Sequence, residues 1–291
     1  AKFRTWPAHC DSDWDLFSRR MNAAVKEIAP DSLTWTLYRA NGANGSNLSG
    51  NGTPKDALAA LDIASTVYYK DGGLGDRPVF APLMADILKV RDGIPVWTQI
   101  FGHASGIYSS MVMRQAIFGI SQGIQGFSYF QIDSNPAKPS PDDMRDATRN
   151  VAGMTTPYGD FLLGLERGYG RVAVLYSRES AHLTPRKPNN LDYTAEGIWV
   201  ACLRAGFPAD FLYDGQLAAG KGAAYDVVFA PGYSYEEEAS PAILEALRKL
   251  VAAGKTVVVE RGSKLPIDGV VRLTSDLDDF DDKLGGAFPR Y

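Results

Sequence analysis

The sequence has 291 residues, 45% hydrophobic and 22% charged, with a formal net charge of −4. That length suits one large or two ordinary domains, and the lack of a basic footprint argues against nucleic acid as a partner. No apolar run approaches the roughly 20 residues of a bilayer-spanning helix, and no signal peptide is visible. The first residue is Ala1 rather than Met, so the compartment stays open. Two cysteines, Cys10 and Cys202, form neither a disulfide framework nor a metal cluster, and no metal or cofactor is expected.

Helix-like and strand-like segments alternate from the start. "WDLFSRRMNAAVKEIAP" (Trp14 to Pro30) has helical apolar spacing and stops at a proline, and "SLTWTLYRA" (Ser32 to Ala40) is β-branched and aromatic, hence a strand. The run "NGANGSNLSGNG" (Asn41 to Gly52) is a long loop, and its three Asn-x-Ser/Thr triplets are chance matches in such a composition. A capped helix "TPKDALAAL", the strand Asp62 to Lys70 and a helix ending at Gly93 follow. Then come the strand "IPVWTQ", the helix "SSMVMRQAIFGISQG" and the strand Ile124 to Asp133. Strands alternating with such helices predict a parallel sheet of βα units.

A proline-rich stretch, "NPAKPSPDDM", precedes a predicted helix over Thr148 to Leu165. The second region has apolar strands at Arg171 to Ser177, Ala209 to Gly215, Tyr225 to Gly232 and Thr256 to Ser263. Helices "AEGIWVACLRAG" and "SPAILEALRKLVAAG" between them each end on glycine. Apolar strands of this kind suit a parallel sheet covered on both faces. Two domains are expected, 1–166 and 167–291. Four strands cannot close an eight-stranded barrel of about 250 residues. The first region is therefore an open sheet or the back half of a barrel.

The phrases "APDSLTWT", "ALDIASTVYY", "IPVWTQ" and "GISQGIQGFSYFQID", followed by "RVAVLYS", "YDVVFAPG" and "LVAAGKTVVV", resemble the clan A glycosidases, most closely the family 42 β-galactosidases. The resemblance implies the C-terminal half of a (β/α)8 barrel followed by a flavodoxin-like, amidotransferase-like parallel-sheet domain that assembles a homo-oligomer. It also implies a carbohydrate ligand and an upstream half-barrel polypeptide carrying the acid/base glutamate.

A retaining glycosidase needs two carboxyl groups about 5–5.5 Å apart. The resemblance places the nucleophile at the end of the barrel's seventh strand, where this chain has Gln99. Residues 1–150 contain one glutamate, Glu27, in the middle of the first helix. An amide cannot form the glycosyl ester, so Gln99 can bind a sugar hydroxyl but not displace the leaving group. Gln99 is a deliberate Glu→Gln substitution made to trap a substrate, a mark of a lineage whose nucleophile is lost or moved, or simply a polar loop residue.

Asp71 and Asp133 follow strands and are the alternative catalytic carboxylates, with a helix cap or loop turn as the plainer role of each. His103, Trp97, Tyr69, Tyr129, Gln131 and Trp35 are the expected sugar-binding residues, the aromatic rings offering faces to sugar C–H groups. Strand alternation puts Trp97 on the face of Gln99, and the Tyr129, Gln131 and Asp133 set is the expected inner face of its strand. The second region has no Gly-x-Ser-x-Gly elbow, and its Cys202 sits within a helix, so contacts rather than chemistry are expected of it. The rival reading is a non-catalytic carbohydrate-binding or assembly protein of the same fold.

Overall fold

The structure, a computed structural model, describes residues 16–39, 61–67, 95–101, 109–130, 141–165, 168, 170–177, 190–233 and 239–274. Described residues up to Gly168 belong to one compact unit, and those from Gly170 to a second. The expected loop at Asn41 to Gly52 and the helices over 53–60 and 78–93 lie outside the described residues.

In the first unit, helix α1 covers residues 16–28. Strands β1 (Trp35–Arg39), β2 (Ile63–Val67) and β3 (Val96–Phe101) come next. Helix α2 (Ser109–Ser121), strand β4 (Gly126–Phe130) and helix α3 (Pro141–Thr155) complete it, with a short α4 (Gly159–Leu163). All four strands are parallel and pair in chain order, β1-β2-β3-β4. Parallel neighbours each need a crossover back to the starting end. Four parallel strands in chain order match half of the strands of a (β/α)8 barrel.

Helix α2 buries Val112 and Ala116 completely, an i, i+4 stripe. A Cβ on its Gly119 would meet the Phe127 ring at 3.1 Å, so α2 lies close over β4 on the Phe127 side. The helix expected over 148–165 begins earlier and breaks. Pro141 opens α3, where a missing N–H costs nothing. Pro157 then forces the 3₁₀ turn Thr156–Tyr158, because it cannot donate to the carbonyl one turn back.

The second unit runs β5 (Val172–Tyr176), α5 (Asn190–Arg204), β6 (Ala209–Tyr213), α6 (Asp214–Ala218) and β7 (Val227–Ala230). Helix α7 (Pro241–Ala252) and strands β8 (Thr256–Val259) and β9 (Val271–Arg272) follow. The parallel order β6-β5-β7-β8-β9 is the 2-1-3-4-5 order of flavodoxin-like sheets. Ala173, Val174 and Leu175 are fully buried, as a strand covered on both faces requires. Ser240 caps α7 by accepting the Ile243 N–H, Pro241 opens its first turn, and Gly254 at φ 75° ends it. Gly170 has no room for a side chain, since a Cβ there would lie 2.1 Å from the Pro208 carbonyl oxygen. Strand β9 was not expected from sequence: it is two residues long and both are exposed.

A polar clamp holds the amino ends of β1 and β2. Asp62 Oδ2 accepts the Thr34 amide and hydroxyl, both at 2.8 Å, and pairs with Lys26 Nζ at 2.9 Å. Lys26 of α1 also donates to the Ser32 carbonyl at 2.6 Å, so one lysine ties α1 to both strands. The Lys26 hydrogen bond, then those from Thr34, lower the Asp62 pKa to about 2. A carboxyl whose pKa falls on folding contributes stability above its unfolded value, lost as pH drops through the folded one. Asp62→Asn should therefore lower stability by about 1 kcal/mol at pH 7, the modest end for charged hydrogen bonds because the group is partly exposed. The difference from the parent should shrink between about pH 4 and pH 2, read by denaturant unfolding across that range. A difference independent of pH would contradict the clamp's charge.

Candidate functional site

The chemistry of parallel α/β sheets collects at the carboxyl ends of the strands. In the first unit one row of paired residues crosses that edge: Arg39, Val67, Gln99 and Ser128. One pleat below lie Leu37, Ser65, Trp97 and Gly126. Side chains alternate along a strand and agree in side between paired neighbours. Phe127 packs towards α2, so the rows of Trp97 and Gln99 lie on the opposite, inner face.

The Trp97–Gly126 pair gives the inner face its shape. A Cβ on Gly126 would fall 2.5 to 2.6 Å from Cδ1, Nε1 and Cε2 of Trp97, so the five-membered part of the indole lies flat across the glycine. The ring is half-buried. A strand glycine marks close approach by something bulky, and here that is the aromatic ring next door. Ser128, one row further along, has a buried hydroxyl that makes no hydrogen bond.

The structure does not gather every expected site residue. Gln99 and Trp97 share the inner face of β3 by register. Tyr129 pairs with Ile100, one residue out of phase with the Gln99–Ser128 pair. Trp35 opens β1, four residues short of Arg39 in the Gln99 row, so about 13 Å along the strand from it. It stands at the clamped amino end, away from the edge. Asp71, Asp133, His103, Tyr69 and Gln131 lie outside the described residues. Gly126 and Ser128 were not singled out from sequence, although a glycine inside a predicted strand was the available signal.

Among the described residues no group of three or more His, Cys, Asp or Glu is placed to hold a metal ion. No helix among them is long and apolar enough to cross a membrane. In the second unit burial pushes the Cys202 thiol up, away from the thiolate a nucleophile needs. Asp226 at the start of β7 is held below the usual range by hydrogen bonds from Arg171 and Lys255, with burial opposing, a surface clamp rather than a reactive group.

No family model matches the sequence, and no curated protein does. Solved structures do match. The apo exo-carrageenase GH42 from Bacteroides ovatus is 12% identical with a TM-score of 0.69, over 98% of this chain and 44% of that one. An exo-beta-1,4-mannosidase from Opitutaceae bacterium strain TAV5 is 12% identical at 0.57, over 85% and 49%. Alpha-L-fucosidase isoenzyme 2 from Paenibacillus thiaminolyticus is 13% identical at 0.53, over 88% and 36%. This chain spans less than half the length of each. At such identities the likeness is one of fold. These glycoside hydrolases share the α/β fold of this chain, whose first unit is TIM-barrel-like.

Gly126→Ala should force the Trp97 ring off β4, with an overpacking cost of about 1–3 kcal/mol. Tryptophan emission should shift in Gly126→Ala, and not when the same change is made in a Trp97→Phe background. A shift of equal size in both would mean that the glycine does not seat Trp97.

Proposed function

We propose that the protein is a sugar-handling member of the glycoside hydrolases, akin to the family 42 β-galactosidases, with Gln99 in the place of the nucleophile. The observation that carries this is the position of Gln99: it is an amide in the carboxyl-edge row of β3, on the face opposite α2, with Trp97 one pleat below. A glutamate there could attack an anomeric carbon; a glutamine can only hold a hydroxyl. Asp71 and Asp133 are the carboxylates proposed to supply catalysis if the chain turns over substrate, with His103, Tyr69 and Gln131 as sugar contacts. The acid/base comes from an upstream half-barrel that completes the site. The second unit, amidotransferase-like in its sequence phrases, makes contacts that build a homo-oligomer.

The lack of glutamate at this edge favours binding over turnover for the sequence as it stands. The second reading is accordingly a carbohydrate-binding or assembly protein that has kept the fold and given up hydrolysis. The two readings diverge on one substitution. Under the first, Gln99→Glu in the complete protein creates or raises hydrolysis of aryl β-glycosides. An unchanged rate in a folded variant contradicts the nucleophile position. Under both, the protein binds at least one of methyl β-galactoside, methyl β-mannoside and methyl α-L-fucoside. Trp97→Ala should weaken that binding by up to about tenfold, measured by calorimetric titration.

A further inference from the structure

Within the sugar site proposed above, and resting on that reading, the residue that meets the ligand beside Gln99 can be named. Ser128 is paired with Gln99 across β3 and β4. Its position is fixed independently of Gln99. Phe127 before it packs towards Gly119 of α2, and Gly126 two residues back lies beneath the Trp97 indole. Ser128 therefore belongs to the inner face, one row above a flat aromatic ring. Its Oγ is buried and makes no hydrogen bond. Native structures seldom leave a buried hydroxyl so, and where they do the group calls for an explanation.

The neighbouring positions make that explanation chemical. The row below offers an indole face and no side chain at Gly126; the row of Ser128 offers a hydroxyl that can both donate and accept. An apolar floor with a polar group standing one strand residue-pair above it, about 6.6 Å along the strand, matches a pyranose ring. Such a ring presents a C–H face to aromatics and hydroxyls at its rim. We propose that Ser128 is a specificity residue of this site, exchanging a hydrogen bond with one ring hydroxyl of the bound sugar. Gly126 is a positioning residue that stays bare so that Trp97 can lie as the floor.

The test is a titration of the intact protein with methyl β-galactoside, methyl β-mannoside and methyl α-L-fucoside, in the parent, Ser128→Ala and Ser128→Thr. Thermal stability is measured alongside. Ser128→Ala should bind the preferred glycoside about tenfold more weakly, the loss expected for one buried hydrogen bond. It should melt no lower than the parent, because the hydroxyl has no partner to lose within the fold. Ser128→Thr, which keeps the hydroxyl, should recover part of the affinity. One monodeoxy analogue of the preferred sugar should lose affinity for the parent but not for Ser128→Ala, which identifies the hydroxyl bound. A parent that binds and a Ser128→Ala variant that binds equally well overturn this proposal and leave the sugar site standing. So does a Ser128→Ala variant that loses stability in step with affinity, since the hydroxyl would then be structural. A parent that binds none of the three glycosides overturns the sugar site and this inference together.

Discussion

Parallel pairing in chain order is the constraint from which the rest of the first unit follows. Each of β1 to β4 points the same way, so every carboxyl end lies on one edge and every amino end on the other. The amino edge carries the Lys26–Asp62–Thr34 clamp, and the carboxyl edge carries the row of Gln99. The same pairing leaves β1 and β4 with one strand neighbour each among the described residues. Beside β1 the apolar Ile28, Leu33 and Trp35 are exposed, Ile28 at 86%. Unpaired strand edges and exposed apolar groups are costs that a closed barrel removes. Under the proposed function, an upstream half-barrel covers that edge.

The second unit meets the same demand differently. Its central strands are covered on both faces by helices, and its core closes around Leu175, Val228, Leu247 and Val257 without any further strand. Burial raises the pKa of its Cys202 thiol, and Asp226 sits in a surface clamp with Arg171 and Lys255. In the first unit the carboxyl-edge row of β3 holds an amide, Gln99, which under the proposed function decides between cleaving a sugar and holding one.

Much of this was legible in the sequence. The β-branched and aromatic runs gave the four strands of the first sheet, because strand signals survive where alternation and apolar burial agree. Gly206 and Gly254, both at positive φ, ended the helices their positions announced. What failed were features set by neighbours distant in sequence. Only pairing reveals that Gly126 stands opposite Trp97 and Ser128 opposite Gln99. Ser128 looked like an ordinary strand serine until its row-mate was Gln99. That Trp35 opens β1 at its amino end is likewise visible only from the register. The break at Pro157 was in plain view, but the apolar pattern on either side of it was read as one helix.

The proposed function requires that further barrel strands complete the open sheet. Native mass spectrometry of the protein from its natural source, with N-terminal sequencing of every component, measures this directly. A completed barrel requires that each copy of these 291 residues be accompanied by additional polypeptide of about half-barrel length, joined to it or bound to it. Assemblies made of this sequence alone would contradict it, leaving four strands to stand open or to pair with their own copies.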